Sequence, residues 1–350
     1  MRIVVLAGGL SMERNVSLSS GTRICRALRE RGHQAVLVDM FLGLEGYAGA
    51  PESIFDAPDG LCGEFSVARE EPDLDAVRAS RRDKSASMFG KDVLTVCAMA
   101  DIVFIALHGT CGEDGRVQAA FDLMGIPYTG AGYLGSAIAM DKDFTKRLIA
   151  GLDVDTPKWR RAEYTMKDID SLTSTTPVPC VVKPVASGSS IGVFIAHTKK
   201  ELYAALVKGL EFGGHCVLEQ YVKGREIQVG ILAGKALPSI EIIPSDGFYD
   251  YENKYQPGAA KEVCPAEIPP EWEKAVGKAA ETVYEALGLT VYSRADFIVT
   301  EDGTPWFLEI NTLPGMTPTS LVPQEAAAIG LDYAGLCQRI IDESLKARNG

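Results

Sequence analysis

Short apolar runs and helically spaced apolar positions take turns over the first third of the chain. Residues 3–6 form an apolar run that ends before Gly8-Gly9. Ile24, Ala27 and Leu28 fall on one face of residues 17–31, and residues 36–39 and 102–107 are further strand-like runs. Apolar runs of four to eight residues predict buried strands, and three-and-four spacing predicts an amphipathic helix. Strands alternating with a helix predict a parallel sheet under helical cover. Ligands of such sheets collect beyond the carboxyl ends of the strands, where this chain carries Ser11-Met12-Glu13 and His108-Gly109. Residues 43–92 are richer in Gly, Pro and charge, and no element is assigned there.

From residue 178 the pattern becomes strand pairs around glycine-rich turns. Residues 181–184 lead into Ser187-Gly188-Ser189-Ser190-Ile191-Gly192 and then residues 193–196. Helices at 199–210 and 271–287, strands at 216–221 and 226–232, and a hairpin at 292–311 complete a second, α+β unit. The chain has 350 residues, enough for two or three domains. Its 35 Lys and Arg against 47 Asp and Glu give a net charge of −12. Such a chain repels phosphate backbones at long range, which argues against nucleic acid and an anionic membrane as main partners. An anionic substrate must instead meet a local cluster of Lys and Arg. No apolar run approaches the ~20 residues of a membrane-spanning helix, and the first residues read as a buried strand rather than a signal peptide. The 8 cysteines include no Cys-x-x-Cys pair, which predicts reduced thiols in a cytoplasmic protein, without disulfides or zinc.

The strongest chemical signal is the hairpin. Asp302-Gly303 reads as a two-residue turn, so Glu301 faces Thr304, Asp296 faces Glu309 and Arg294 faces Asn311, all four side chains of the last two pairs on one face. Carboxylates directly across a strand pair, with Cβ atoms ~5 Å apart, repel unless a cation joins them. Two carboxylates and an amide oxygen are hard donors that suit Mg²⁺ beside phosphates; the bland alternative is a solvated face with an incidental acid pair. The Gly/Ser loop at 187–192, with Lys183 before it, can close backbone N–H groups over phosphates or be a plain hairpin loop. Gly130-Ala131-Gly132-Tyr133-Leu134-Gly135 fits a dinucleotide fingerprint but lacks a following strand with a terminal acid. Asp246-Gly247-Phe248-Tyr249-Asp250-Tyr251-Glu252-Asn253-Lys254-Tyr255 is polar and aromatic, fit for a water-excluding lid or for a packed surface loop.

Taken in order, these segments resemble the D-alanine–D-alanine ligases of the ATP-grasp superfamily. The resemblance rests on Gly8-Gly9 with Glu13-Arg14 and Val16-Ser17, His108-Gly109 with Gly112-Glu113-Asp114-Gly115, and Met140-Asp141-Lys142. It continues through Lys183-Pro184 with Gly188-Ser189-Ser190, Phe248-Tyr249-Asp250-Tyr251 with Lys254-Tyr255, Arg294-x-Asp296, and Glu309-x-Asn311-Thr312 with Pro314-Gly315-Met316-Thr317. It spans nearly the whole chain except about 43–95. It implies α/β and α+β units in a three-domain ATP-grasp architecture with an N-terminal open parallel sheet, divided near 1–130, 131–218 and 219–350.

The activity implied is ATP-dependent joining of two D-alanines through an acylphosphate, for peptidoglycan precursors. Lys142, Lys183, Ser190 and Lys254 would serve the ATP phosphates, Glu219 and Glu226 the adenine and ribose. Asp296, Glu309 and Asn311 would carry two Mg²⁺ ions, with Mn²⁺ as the alternative. Arg294 and the Gly315 N–H would face the oxyanion of the tetrahedral intermediate. Glu13 would pair with the ammonium of the first D-alanine beside His108, which can equally be a structural histidine. A Glu13, Ser189, Tyr255 chain would tie the domains together, and Ser320 and Leu321 would receive the carboxylate of the second D-alanine. The family also implies a homodimer. This chain departs from the family pattern at Asn15, where Glu is frequent, and at Pro318-Thr319, where Ser-His is usual. Alternatives are a ligase of D-alanine with D-lactate or D-serine, another ATP-grasp carboxylate–amine ligase, and a non-catalytic ATP-binding regulator; Tyr255 looks like the dipeptide-forming type.

Overall fold

The computed structural model describes residues 1–63, 65, 72–110, 112–186, 188, 192–244 and 260–349. Arg2–Ala7 (β1), Gln34–Asp39 (β2) and Ile102–Ile105 (β3) are almost continuously apolar and buried, as strands covered on both faces must be. They pair in parallel in the order β2-β1-β3. The helix Arg14–Glu30 packs on β1 and β2, and the helix Tyr333–Asn349 packs against both that helix and β3. Leu336, Cys337, Ile340 and Ile341 thereby join the core of Ile3, Val5, Val36 and Phe104, so the end of the chain closes the core that its beginning opens.

Trp159–Glu163 (β4), Cys180–Pro184 (β5), Phe194–Ala196 (β6) and His215–Gln220 (β7) form an antiparallel sheet in the order β4-β7-β5-β6. The helix Lys199–Gly209 covers it, with Leu202, Ala205 and Leu206 inward. Arg225–Leu232 (β8), Lys235–Ala236 (β9), Ile240–Pro244 (β10), Ala260–Val263 (β11), Tyr292–Val299 (β12) and Pro305–Asn311 (β13) form the third sheet. Its order is β11-β10-β8-β12-β13, with β9 beside β8. Ile227, Val229, Ala295, Phe297, Phe307 and Ile310 face the helix Pro270–Ala286. Strand side chains alternate between faces, so Gln228, Arg294, Asp296 and Glu309 are left to the opposite face.

Several elements carry no clear sequence signal. Strand β4 is mostly solvent-facing, and the helices Tyr133–Met140 and Lys142–Ile149 lie where only the glycine-rich decoy stood out. Ala131, Ala139 and Ile149 pack into the third sheet's core, which gives the small residues of that decoy a packing role. Within the unassigned stretch the structure places a short 3-10 turn, Pro51–Asp56, and a helix, Leu74–Ser80. The expectation of reduced thiols throughout fails at one pair: Cys25 and Cys62 form a disulfide, with Cα atoms 6.6 Å apart. Leu37 N–H donates to the Gly60 carbonyl (2.8 Å), draping the segment before Cys62 along β2 and beside the first helix. The other described cysteines are free thiols.

Candidate active site

The hairpin β12–β13 carries the expected acid pair, by a different route from the one its turn suggests. Thr300 N–H donates to Thr304 O (3.1 Å) and Gly303 N–H to Thr300 O (2.9 Å). The loop therefore holds three residues, with Gly303 at φ +85°, a left-handed position that suits glycine. Val299 consequently faces Pro305 and Phe297 faces Phe307, one step out of the expected register. A bulge at Leu308 restores it, so that Asp296 faces Glu309 and Arg294 faces Asn311. Without that extra residue Glu309 would turn to the buried face of Ala295, because a one-residue slip reverses every later side chain.

On this face Arg294 grips Asp296 with two parallel bonds, Nε to Oδ1 at 2.8 Å and Nη2 to Oδ2 at 2.9 Å. Asn311 Nδ2 donates to Asp296 Oδ2 (3.3 Å). Lys142, at the start of its helix, lies 3.1 Å from Glu309 Oε2, and Asp141 caps that helix by accepting from the N–H groups of Asp143 and Phe144. Both hairpin acids are thus partnered by cations. Among the described residues no group of three or more His, Cys, Asp and Glu side chains is arranged to hold a metal. Two carboxylates whose present partners are cationic, with an amide beside them, nevertheless fit a hard divalent ion beside phosphates.

Lys183, the other lysine expected on phosphate, ends β5 with its Nζ 2.5 Å from Glu219 Oε2. Glu219, on β7, is also 2.5 Å from the Nζ of Lys146. Burial opposes ionisation of Glu219, but the two ammonium groups outweigh it and hold the carboxyl below its usual range. Burial pushes fully buried Lys146 down to about 8, against the pull of Glu219. Glu226 opens β8 and accepts from Gln228 Nε2 (3.1 Å). Glu219 and Glu226 therefore stand where the second sheet hands over to the third.

Glu13, at the start of the first helix, His108, Arg294 and Gly315 line one cavity of about 50 Å³. His108 Nδ1–H donates to the Leu313 carbonyl (3.0 Å) and its Nε2 meets Ser20 Oγ (3.3 Å). Burial lowers its pKa, and with both ring nitrogens engaged the imidazole forms one wall of the cavity. Ser320 Oγ bonds Thr317 N–H (3.0 Å) and the Thr317 hydroxyl (2.8 Å) beside Gly315. Leu321 buries its side chain near Ile240 and Ile242 and is the first residue of the helix Leu321–Ala328. Ser189, Ser190, Lys254, Tyr255 and the rest of the expected lid lie outside the described residues.

Two buried groups escaped the sequence reading. Lys146 sits one helical turn after Lys142, a spacing that was its only signal. Glu113 belongs to the quoted Gly112-Glu113-Asp114-Gly115 segment, which had no role assigned. Its Oε2 accepts from Gly109 N–H (2.9 Å), and it lines the same cavity as Glu13.

A parallel sheet followed by two antiparallel sheets, with a cation-lined cleft between them, is the architecture of an ATP-grasp enzyme. Family models described as "D-ala D-ala ligase N-terminus" and "D-ala D-ala ligase C-terminus" match residues 2–131 and 150–342. The D-alanine–D-alanine ligase of Pediococcus pentosaceus is 41% identical over 97% of this chain and 97% of its own, and that of Lacticaseibacillus casei is 40% identical over 99% and 96%. The crystal structure of the Bacillus anthracis D-alanine–D-alanine ligase complexed with ATP superposes with a TM-score of 0.74 at 31% identity, covering 100% of this chain and 99% of that one. The Enterococcus faecalis VanG D-Ala:D-Ser ligase gives 0.74 at 29% identity, covering 98% and 99%. The chain belongs to the D-alanine–D-alanine ligase family.

Proposed function

We propose that this protein is a cytoplasmic ligase that joins two D-alanines at the expense of ATP, supplying a dipeptide for peptidoglycan precursors. The observation that carries this reading is the meeting of two surfaces: the Arg294, Asp296, Glu309, Asn311 face and the Glu13 cavity share Glu309, Asn311 and Arg294. A carboxylate is a poor electrophile, so ATP first phosphorylates the carboxylate of one D-alanine. The amine of the other then attacks the acylphosphate and phosphate leaves. Lys142 and Lys183 exchange their carboxylate partners for the ATP phosphates, and Glu219 and Glu226 receive the adenine and ribose. Asp296, Glu309 and Asn311 would hold two Mg²⁺ ions, which would supply charge neutralisation at the phosphoryl group. Arg294 and the Gly315 N–H stabilise the oxyanion, Glu13 binds the first ammonium, and Ser320 with Leu321 binds the second carboxylate.

Product analysis with ATP, Mg²⁺ and a panel of D-amino and D-hydroxy acids tests this reading. D-alanyl-D-alanine should dominate even when D-lactate or D-serine is in excess. A depsipeptide or mixed dipeptide as main product would assign the chain to the other specificity, and ATP hydrolysis indifferent to D-alanine would make it a regulator.

The protein is further proposed to act as a homodimer. Leu123, Leu134 and Phe144, on the consecutive helices Arg116–Met124, Tyr133–Met140 and Lys142–Ile149, are 90%, 59% and 57% exposed, and apolar surface of this kind is what subunits cover. Light scattering should give twice the chain's 37.6 kDa, falling to the single mass in Leu134→Glu; a monomeric wild type would refute the dimer.

A further inference from the structure

Glu113 is the buried acid that the proposed mechanism leaves without a task. It is 8% exposed and Glu13 7%, so the fold sets two carboxylates in one narrow cavity. Gly109 shows how close they come. Its N–H donates to Glu113 Oε2 at 2.9 Å, while a Cβ on the same residue would stand 2.6 Å from Glu13 Oε2. The two acids thus flank one glycine, whose φ of +68° and missing side chain permit the approach.

The Gly109 bond is the only hydrogen bond that the Glu113 carboxylate makes among the described residues. A carboxylate that is nine-tenths buried, with one oxygen uncommitted and a like charge beside it, is costly. A cation arriving between the pair removes that cost. Lining the same cavity are Arg294 and Gly315, a cation and a backbone donor, so the cavity holds both signs of charge, as a zwitterion requires. A second small cavity, lined by Lys142, Glu309 and Asn311, also includes Glu113, which places it between the amino-acid end and the phosphate end of the cleft.

We infer that Glu113 and Glu13 together form the receptor for the α-ammonium of the first amino acid, and that Glu113 is what bars an α-hydroxy acid from that position. This rests on the ligase reading above. Burial and then the Glu13 charge push the Glu113 carboxyl up to about 8, which agrees with an acid that charges fully when an ammonium is seated. A hydroxy acid brings no such charge, so Glu113 has no ammonium to ionise against and that share of the binding is lost.

The test compares wild type with Glu113→Gln, which keeps shape and removes charge, and Glu113→Asp, which keeps charge and shortens reach. Initial rates resolve the KM of the first and second D-alanine and of ATP, and product analysis scores D-alanine against D-lactate in the first position. Glu113→Gln should raise the first-site KM at least about tenfold, leave the ATP KM within about twofold, and cut the preference for D-alanine over D-lactate at least about tenfold. Glu113→Asp should fall between. The inference is overturned if Glu113→Gln keeps the first-site KM and preference. It is equally overturned if first-site KM, ATP KM and kcat all worsen together in both variants with the preference unchanged, the pattern of a structural acid. A wild type that releases no D-alanine-dependent phosphate fails the ligase reading instead, and is seen as such before any variant is made.

Discussion

Glu309→Gln is expected to lower kcat by roughly 10³-fold, about 4 kcal/mol of transition-state stabilisation. The side chain keeps its size and loses the charge that lets it hold a divalent cation against the phosphates. It also releases Lys142, now 3.1 Å from its carboxylate, so nucleotide affinity should survive better than turnover. Glu309 is on the cleft side of β13 while Phe307 and Ile310 make the core, so the melting temperature should change little. Phosphate release at saturating ATP and D-alanine, measured across a Mg²⁺ titration, is the check. Turnover within threefold of wild type at high Mg²⁺ would remove Glu309 from the metal site.

The second large effect is expected at Arg294, where two substitutions separate chemistry from stability. Arg294→Lys keeps the charge but loses the planar fork that grips Asp296 at 2.8 and 2.9 Å, and lysine does not replace a bidentate arginine. Turnover should fall about 10²- to 10³-fold, the loss typical of an oxyanion donor, with folding largely kept. Arg294→Ala goes further, since Asp296 is buried and would keep its charge without its main partner. Such a break costs about 3–5 kcal/mol, or roughly 10 °C in melting temperature. Equal kcat in Arg294→Lys and wild type would refute the oxyanion role, and an Arg294→Ala protein melting like wild type would refute the buried-pair argument.

The hairpin shows how far residue patterns reach. Asp296 opposite Glu309 and Arg294 opposite Asn311 hold as expected, yet through two offsetting features, a three-residue loop and the Leu308 bulge. Pattern alone sees which acids alternate with which apolar residues, and Phe297, Phe307 and Ile310 demand the core face in any register. It does not see a bulge, because the extra residue is set by the twist of the paired strands and leaves little mark in composition. Lys146 and Glu113 were illegible for a related reason: their meaning lies in partners distant along the chain, Glu219 for one and Glu13 for the other. The Cys25–Cys62 disulfide likewise depends on the Gly60 contact with β2, which no spacing announces.

By itself, the amino-acid order determined the strand and helix periodicities, the net repulsion of polyanions and the set of polar residues left over from the cores, because these follow from local geometry and from what each side chain prefers to bury. The tertiary fold alone decided which of those polar groups meet. It turned Glu309 to the face of Asp296, sandwiched Glu219 between Lys146 and Lys183, and set Glu113 beside Glu13, since electrostatic partnership acts over a few ångströms of space and takes no account of separation along the chain.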